Sequence, residues 1–447
     1  MLILLFVWLT AGIALTLLGT GKSRGTAGLP LAYFLGLSLI HVPGALFTYD
    51  DEDLYLMGFW TRLGFEQTVI GMVALVIGVM IARYTAGPSA AIQEESSRLP
   101  ALTVRDVAVL DRLALLYLGI GFFVNFLLMR LIGDIPSATA ITSPLGSLII
   151  IGACLRLWVA RESKDQSKFW STIALLPMLP FVTLIQGGFL GYGTYWVLGI
   201  VSFAVAQSRR RLLYLVFAPV IFFVGLSLFV NYMPARDEIR DLVWRDQAGI
   251  SDRISRVVDM FDNFEWLDVS NSRHRDALSR LNQNWLVGAA VARLASGEVE
   301  YAAGATLGTV LMGLIPRVIW PDKPAVGGGG TVVHDFTGIE FAEGTSVGAG
   351  QVFEFYVNFG MFGVIGGFLL YGWLLGKMDL RIIEFLHRGD QVRFVFWFLI
   401  CLSLLQPGGN LLEVVVGAAA SAITGYGVGH FLAPMRVTYP RVETVHD

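Results

Sequence analysis

Apolar residues in this chain come in runs of about 20, the length a helix needs to cross a hydrocarbon core about 30 Å thick, with short polar connections between them. Inside hydrocarbon every backbone polar group needs a partner within the protein. Such runs are therefore helices, since barrel strands would alternate apolar and polar positions. The pattern predicts about eleven spans, near residues 2–19, 28–47, 65–83, 111–132, 143–160, 170–187, 189–207, 212–231, 352–376, 392–407 and 411–432. The opening run, MLILLFVWL, has no basic stretch before it and reads as a retained first span.

Two places depart from simple spans. Pro177 and Pro180 interrupt one helix, and Gly187, Gly188, Gly191 and Gly193 break its link to the next. Broken helices at membrane depth are tolerated where they line a cavity. There is no convincing internal repeat, which weighs against transporters built from duplicated halves.

The connections alternate in charge. One set carries Lys22 and Arg24; Arg83, Arg98 and Arg105; Arg161, Lys164 and Lys168; Arg209, Arg210 and Arg211; Lys377, Arg381 and Arg388; Arg436 and Arg441. The other holds the acidic turn of Asp50, Asp51, Glu52 and Asp53, and short polar turns near Gly187 and Gly408. Lys and Arg in short loops stay cytoplasmic, so the N-terminus is expected outside and the C-terminus inside. The expectation is an all-α polytopic membrane protein in four parts. Residues 1–231 form an N-terminal bundle of about eight helices, and 232–351 a large outer loop with amphipathic and re-entrant helices. Residues 352–432 supply about three more membrane helices and 433–447 a cytoplasmic tail.

Composition agrees. Charged residues are 15% of the chain and hydrophobic ones 55%, against about 25% charged in soluble domains. A net charge of -3 gives no reason to expect a nucleic acid partner. Cys154 and Cys401 both fall within predicted spans, too few and too deep for a disulfide framework or a zinc site. No residue cluster suggests a metal or another cofactor.

The candidate chemistry lies in the outer loop and at its exit. Ile254, Val257, Val258, Phe261 and Phe264 recur at helical spacing, with Arg253, Asp259 and Asp262 at the other positions. This predicts an amphipathic helix against the bilayer or the bundle, or a packed loop helix. In residues 271–285, Arg273 and Arg280 share a helical face with Asp276 between them. They read either as a cationic site for a phosphorylated ligand or as a salt-bridged surface helix. Residues 305–319 are apolar but too short to span comfortably, and suit a re-entrant or interfacial helix. Pro316, Pro321 and Pro324 then hold Arg317 and Lys323 in a stiff, non-helical segment. Those cations could meet a lipid-linked diphosphate, or anchor the chain at the interface together with Trp320. The run 327–330 of glycines is a possible lid hinge. At the entry to the next span, Glu354 and Asn358 lie one turn apart, with Tyr356 near. A carboxylate at that depth is a functional candidate, or a structural partner for Arg317 or another loop arginine.

The order of these segments resembles a known family. A basic segment precedes YxxG (Tyr301, Gly304), then IPRxxWPDKP (Pro316, Arg317, Trp320, Pro321, Lys323, Pro324). A Gly-rich stretch with Thr345 and Ser346 follows, then ExYxNFGxxG (Glu354, Tyr356, Asn358, Phe359, Gly360, Gly363). Over residues 270–370 this is similar to the Wzy-type polymerases of O-antigen and exopolysaccharide repeat units. The resemblance implies a GT-C-like bundle in the bacterial inner membrane, acting as a metal-independent glycosyltransferase. It would move a growing glycan from one undecaprenyl diphosphate to a second lipid-linked repeat unit. The pathway's flippase and chain-length regulator are possible partners. Arg317 and Lys323, followed by Arg273, Arg275 and Arg280, would stabilise the departing diphosphate. Glu354, or else His334, would take the acceptor's proton, with Asn358 and Tyr356 beside the substrate. An O-antigen ligase or another GT-C enzyme is the nearest alternative, and a polysaccharide flippase or transporter a more distant one.

Overall fold

A computed structural model describes residues 1–19, 25–48, 55–86, 104–132, 138–244, 249–262, 264–315, 320, 329–341 and 347–431. Among the described residues every regular element is helical. In chain order the helices are α1 (Leu2–Thr16), α2 (Leu29–Phe47), α3 (Tyr55–Thr85) and α4 (Val104–Phe123, prolonged by a π-turn at Val124–Leu128 and a last turn at Met129–Ile132). Then come α5 (Ala138–Gly146), α6 (Leu148–Glu162), α7 (Gln166–Ile173), α8 (Leu179–Gly187), α9 (Leu190–Gln207) and α10 (Arg211–Trp244). Five short helices follow: α11 (Ile250–Asp259), α12 (Ser272–Ser279), α13 (Asn284–Ser296), α14 (Ala305–Gly313) and α15 (Gly329–Thr337). The chain ends with α16 (Gly350–His387), α17 (Gln391–Leu404) and α18 (Leu411–Phe431).

Among the described residues, eight stretches are long and apolar enough to cross a bilayer: Leu29–Phe47, Leu56–Thr85, Asp106–Leu128, Thr142–Glu162, Gln166–Gly187, Arg211–Val243, Gly350–His387 and Leu411–Phe431. Leu2–Thr16 and Gln391–Leu404 are apolar but shorter. The chain is an all-helical, multi-pass membrane protein.

Helix ends differ from the expected span ends, because hydropathy marks where a helix is apolar and not where it stops. α3 begins at Tyr55, well before residue 65, and α10 runs on to Trp244, past residue 231. Arg236 and Arg240 thus belong to a long helix and not to a loop. Pro177 and Pro180 do break their segment, into α7, a 3-10 turn at Leu176–Met178 and α8. Of the glycines behind them only Gly188 acts as a terminator, with φ 75°. Gly193 sits inside α9, where its missing side chain lets the backbone approach the carbonyl of Leu179.

α3 is the packing axis. Gly64, Gly71 and Gly78 recur every seven residues along it. A Cβ on Gly64 would fall on the carbonyl of Asn284, and one on Gly78 on the carbonyl of Leu369. Gly372 in turn receives the carbonyl of Leu75. Small residues at such contacts let helix backbones touch, which gains dispersion energy where no hydrophobic effect separates helix from lipid.

α16 is not the single straight span expected over 352–376. Phe359 (φ -141°, ψ 19°) and Gly360 (φ 61°, ψ -150°) leave helical geometry. At about 1.5 Å per residue a straight helix would hold Phe355 and Phe368 about 20 Å apart, yet their ring centroids lie 5.4 Å apart. Phe355 also packs on Gly363 and Gly367. The chain therefore doubles back: arm 350–358 lies against arm 361–387, with residues 359–360 at the tip. Glycine suits the tip, since L side chains rarely adopt that backbone conformation.

The short arm begins inside the bundle. Turn 405–410, between α17 and α18, places Pro407 against Gly36 in mid-α2. Gln283 Nε2 donates to the Gly348 carbonyl (2.9 Å), and the Ala349 amide donates to Asn410 Oδ1 (3.1 Å). The Gln283 amide meets the Ile40 carbonyl at 2.9 Å. Asn284 holds His41 twice, through its Nδ1 and its carbonyl, both at 2.7 Å. The segment expected as one outer loop, 232–351, thus returns into the helix bundle at 283–284 and again at 348–349.

Candidate functional site

Along arm 350–358, Gln351, Glu354 and Asn358 fall at i, i+3 and i+7, one face of a helix. All three are buried, so each needs a partner. Gln351 accepts from the Tyr33 hydroxyl (2.7 Å) and donates to the carbonyls of Gln406 (3.0 Å) and Gly409 (2.7 Å). Glu354, only 5% exposed, accepts through Oε2 from the amide of Leu411, the first residue of α18. A carboxylate there satisfies an orphan amide and meets the positive end of the helix dipole. Among the described residues its Oε1 has no hydrogen-bond partner.

Asn358 joins the arm to the YxxG segment. Its Oδ1 accepts from the Gly304 amide (3.0 Å), and its Nδ2 donates to Thr306 Oγ1 (2.6 Å) and the Glu354 carbonyl (2.7 Å). The Ala302 amide donates to the Val357 carbonyl (2.9 Å). Tyr301 packs on Tyr356, ring centroids 6.5 Å apart, and its hydroxyl abuts Gly360. Two motifs some fifty positions apart in sequence are thereby one hydrogen-bonded unit at the hairpin tip.

Charge gathers beside this unit from residues that sequence reading passed over. Glu413, on the first turn of α18, is close enough to Glu354 for their charges to interact. Tyr192 of α9 lies within the field of both Glu413 and Arg240. Arg240 stacks over the Phe189 ring at 4.5 Å and reaches the Gly188 carbonyl at 3.4 Å. A chain of charge interactions thus runs from Glu354 to Glu413, from Glu413 to Tyr192 and from Tyr192 to Arg240, across four helices. Glu413 sits at the polar end of an apolar run, the same signal that marked Glu354. Arg240 gave no such signal, because its stretch read as loop.

The other predicted residues lie elsewhere. Arg317 and Lys323 fall outside the described residues, as do Thr345, Ser346 and the acidic turn 50–53. α12 packs inward through Ala277 and Leu278, with Leu281 just beyond it, and leaves Arg273 and Arg280 exposed. Neither has an ion-pair partner among the described residues, so of the two readings the salt-bridged helix is not formed there. Arg275 caps the carbonyls of Val269 (3.2 Å) and Ser270 (3.1 Å). His334 is exposed on α15, its Nδ1 3.2 Å from the Ile339 carbonyl. Val333 and Phe336 are that helix's inward residues, and Phe336 packs edge-on against Phe353. No contact among the described residues joins Arg273, Arg275, Arg280 or His334 to Glu354.

The amphipathic helix is also rearranged. In α11, Ile254 and Val258 face out while Arg253, grouped above with the polar face, is buried. Its guanidinium reaches the carbonyls of Ile185 and Val243, both at 3.4 Å, near the C-terminal ends of α8 and α10, where a cation is favourable. Among the described residues no group of three or more His, Cys, Asp or Glu side chains is placed to hold a metal ion.

Residues 68–387 match the family described as a domain of unknown function, DUF8712. The chain belongs to this family. Comparison with curated proteins and with solved structures finds no match. The DUF8712 match runs from within α3 to the end of α16. It takes in the whole hairpin and the YxxG segment, while Tyr33, turn 405–410 and Glu413 lie beyond it.

Proposed function

We propose that the chain is a polymerase of the Wzy type. It joins undecaprenyl-diphosphate-linked oligosaccharide repeat units into a surface polysaccharide, O-antigen or exopolysaccharide, on the outer face of the bacterial inner membrane. The observation that carries the reading is the union of segment 301–304 with arm 350–358, which holds Glu354 buried with one carboxylate oxygen uncommitted. In this reading the eight long apolar helices, with α1, α9 and α17, make eleven crossings of a GT-C-like bundle. The N-terminus is outside and the C-terminus cytoplasmic.

The chemistry balances as a single transfer. Glu354 Oε1 takes the proton of the acceptor hydroxyl as that oxygen bonds to the anomeric carbon of the donor. The bond from that carbon to the diphosphate oxygen breaks, and its electron pair leaves with the lipid diphosphate. Arg317 and Lys323 supply the cations that this charge needs. Asn358 and Tyr356 hold the 301–304 segment as a wall of the site. The partners are lipid-linked oligosaccharides, with the pathway's flippase and chain-length regulator alongside.

One observation favours a second reading. A broken, doubled-back helix at membrane depth is also how many transporters build a substrate site. Purified protein in liposomes with a lipid-linked repeat unit separates the two. The polymerase yields a ladder of lengths with release of lipid diphosphate; a transporter moves single units across and leaves their length unchanged. Protein that makes no ladder yet passes units, or transfers them only to a lipid A core acceptor, overturns the polymerase reading.

A further inference from the structure

At the opposite end of α16 from Glu354, a cavity of about 350 Å³ opens among helix ends. Thr26, Arg161, Ser208, Arg209, Arg211 and His387 line it. The transfer proposed at Glu354 makes no use of it.

Its cations are placed differently from those of an ordinary basic loop. Arg211 is fixed: it donates to the carbonyls of Leu18 and Ala206, and through Nε to that of Ser208 (3.2 Å). Arg161 Nη1 donates to Gln207 Oε1 (2.7 Å), and Gln207 is itself tied to the Thr26 carbonyl (3.0 Å). Arg161, Arg209 and Arg211 have no ion-pair partner among the described residues. The buried carboxylate near them, Asp379, is already taken by Arg83 (3.5 Å) and by the amides of Ala27 (3.0 Å) and Leu29 (3.1 Å). Glu162, next to Arg161 in the chain, is close enough to His387 for their charges to interact. Ser208 Oγ accepts from the Arg210 amide (3.1 Å) and keeps its own proton to donate.

We infer that this cavity is a binding site for a phosphate-bearing anion, either the headgroup of an anionic phospholipid or free phosphate. Three guanidinium groups around one cavity repel each other until an anion sits between them. Their planar donor forks match phosphate oxygens. Topology alone asks only for basic residues in water; it does not require a cavity or an arginine anchored to backbone carbonyls. Basic pockets between helix ends are where anionic headgroups bind, and this volume suits a headgroup without its chains.

Native mass spectrometry of the full-length protein tests this with phosphatidylglycerol, phosphatidylcholine and inorganic phosphate. Phosphatidylglycerol should be retained over phosphatidylcholine. Arg161→Gln with Arg209→Gln should lower its occupancy about tenfold or more, while Arg381→Gln, a charge outside the cavity lining and the match for Arg209→Gln alone, should not. Arg209→Gln alone removes no contact within the described residues, so it should fold normally and still lose several-fold. Retention of the lipid in millimolar phosphate identifies a headgroup site; displacement by phosphate, with a rise in wild-type Tm, identifies a free-phosphate site. Equal binding of the two lipids, or an unchanged response in both cavity variants, overturns the inference.

Discussion

Glu354 has two possible jobs, and they make different demands on one side chain. As a cap it needs only an oxygen that accepts from the Leu411 amide. As a base it needs to take a proton. Glu354→Gln keeps the first ability and removes the second, so its level in the membrane should stay normal. Turnover in a purified polymerisation assay should fall by about 100-fold or more, the usual contribution of a positioned base. Normal turnover in this variant would return Glu354 to a capping role. A second residue-scale prediction concerns Asp268, in the connection before α12. Its Oδ1 accepts from the Ser270 hydroxyl (2.7 Å) and amide (2.9 Å), which holds its pKa below the usual carboxylate value. The stabilisation is therefore present above the ordinary pKa and fades as pH falls through the depressed one. Hydrogen exchange should show residues 265–274 losing protection below about pH 4. In Asp268→Asn the amide oxygen still accepts from Ser270 but carries no titratable charge, so protection there should barely change on acidification.

The elements that build the site are short, and each depends on a few contacts. Gly360 turns the hairpin at φ 61° and ψ -150°. A Cβ there adopts a backbone region costing about 1–3 kcal/mol and meets the Tyr301 hydroxyl at 3.2 Å. Gly360→Ala should separate the two arms and expose Tyr356, which is buried, to chemical modification; unchanged reactivity at Tyr356 would mean the tip tolerates a side chain. Asn358 acts across elements instead. Its removal leaves the Gly304 amide and Thr306 without their partner, at a cost of about 1–3 kcal/mol. Asn358→Ala should raise protease cleavage within 301–306 and reduce polymer length, while Asn358→Asp, which still accepts from Gly304, should keep the segment docked. Equal cleavage in all three proteins would sink the staple. α10 and α11 show why such contacts escape a linear reading. Arg253 sits at a position that helical periodicity assigns to the polar face, yet two nearby helix ends offer carbonyls that draw it inward.

At the scale of the whole molecule, orientation is the first thing to test. A cysteine at exposed Ser251 on α11 should react with an impermeant thiol reagent from outside the cell, and one at exposed Ser163, between two spans, only after lysis. Cys154 and Cys401 are buried, so the native thiols should stay silent. The reverse labelling pattern would invert the topology and place the Glu354 site on the cytoplasmic side. Much of the architecture was legible from residue order alone. Apolar runs of span length and their lack of alternation are local properties, and they suffice for an all-helical multi-pass chain. Glu354 and Asn358 were legible for the same reason, as polar residues one turn apart within an apolar run. The doubling back of α16 was not: both arms are apolar, so hydropathy counts them as one span, and only the contacts of Phe355 with Gly363, Gly367 and Phe368 reveal the reversal. Nor was the company Glu354 keeps. Leu411 and Glu413 come from a different helix, α18, and Glu413 leads on to Tyr192 of α9. Short-range patterns set which segments are helices, because hydrogen bonding in lipid leaves no alternative. Which side chains meet depends on how glycine-lined helices pack and where turns re-enter the bundle, and that was decided only by the tertiary structure.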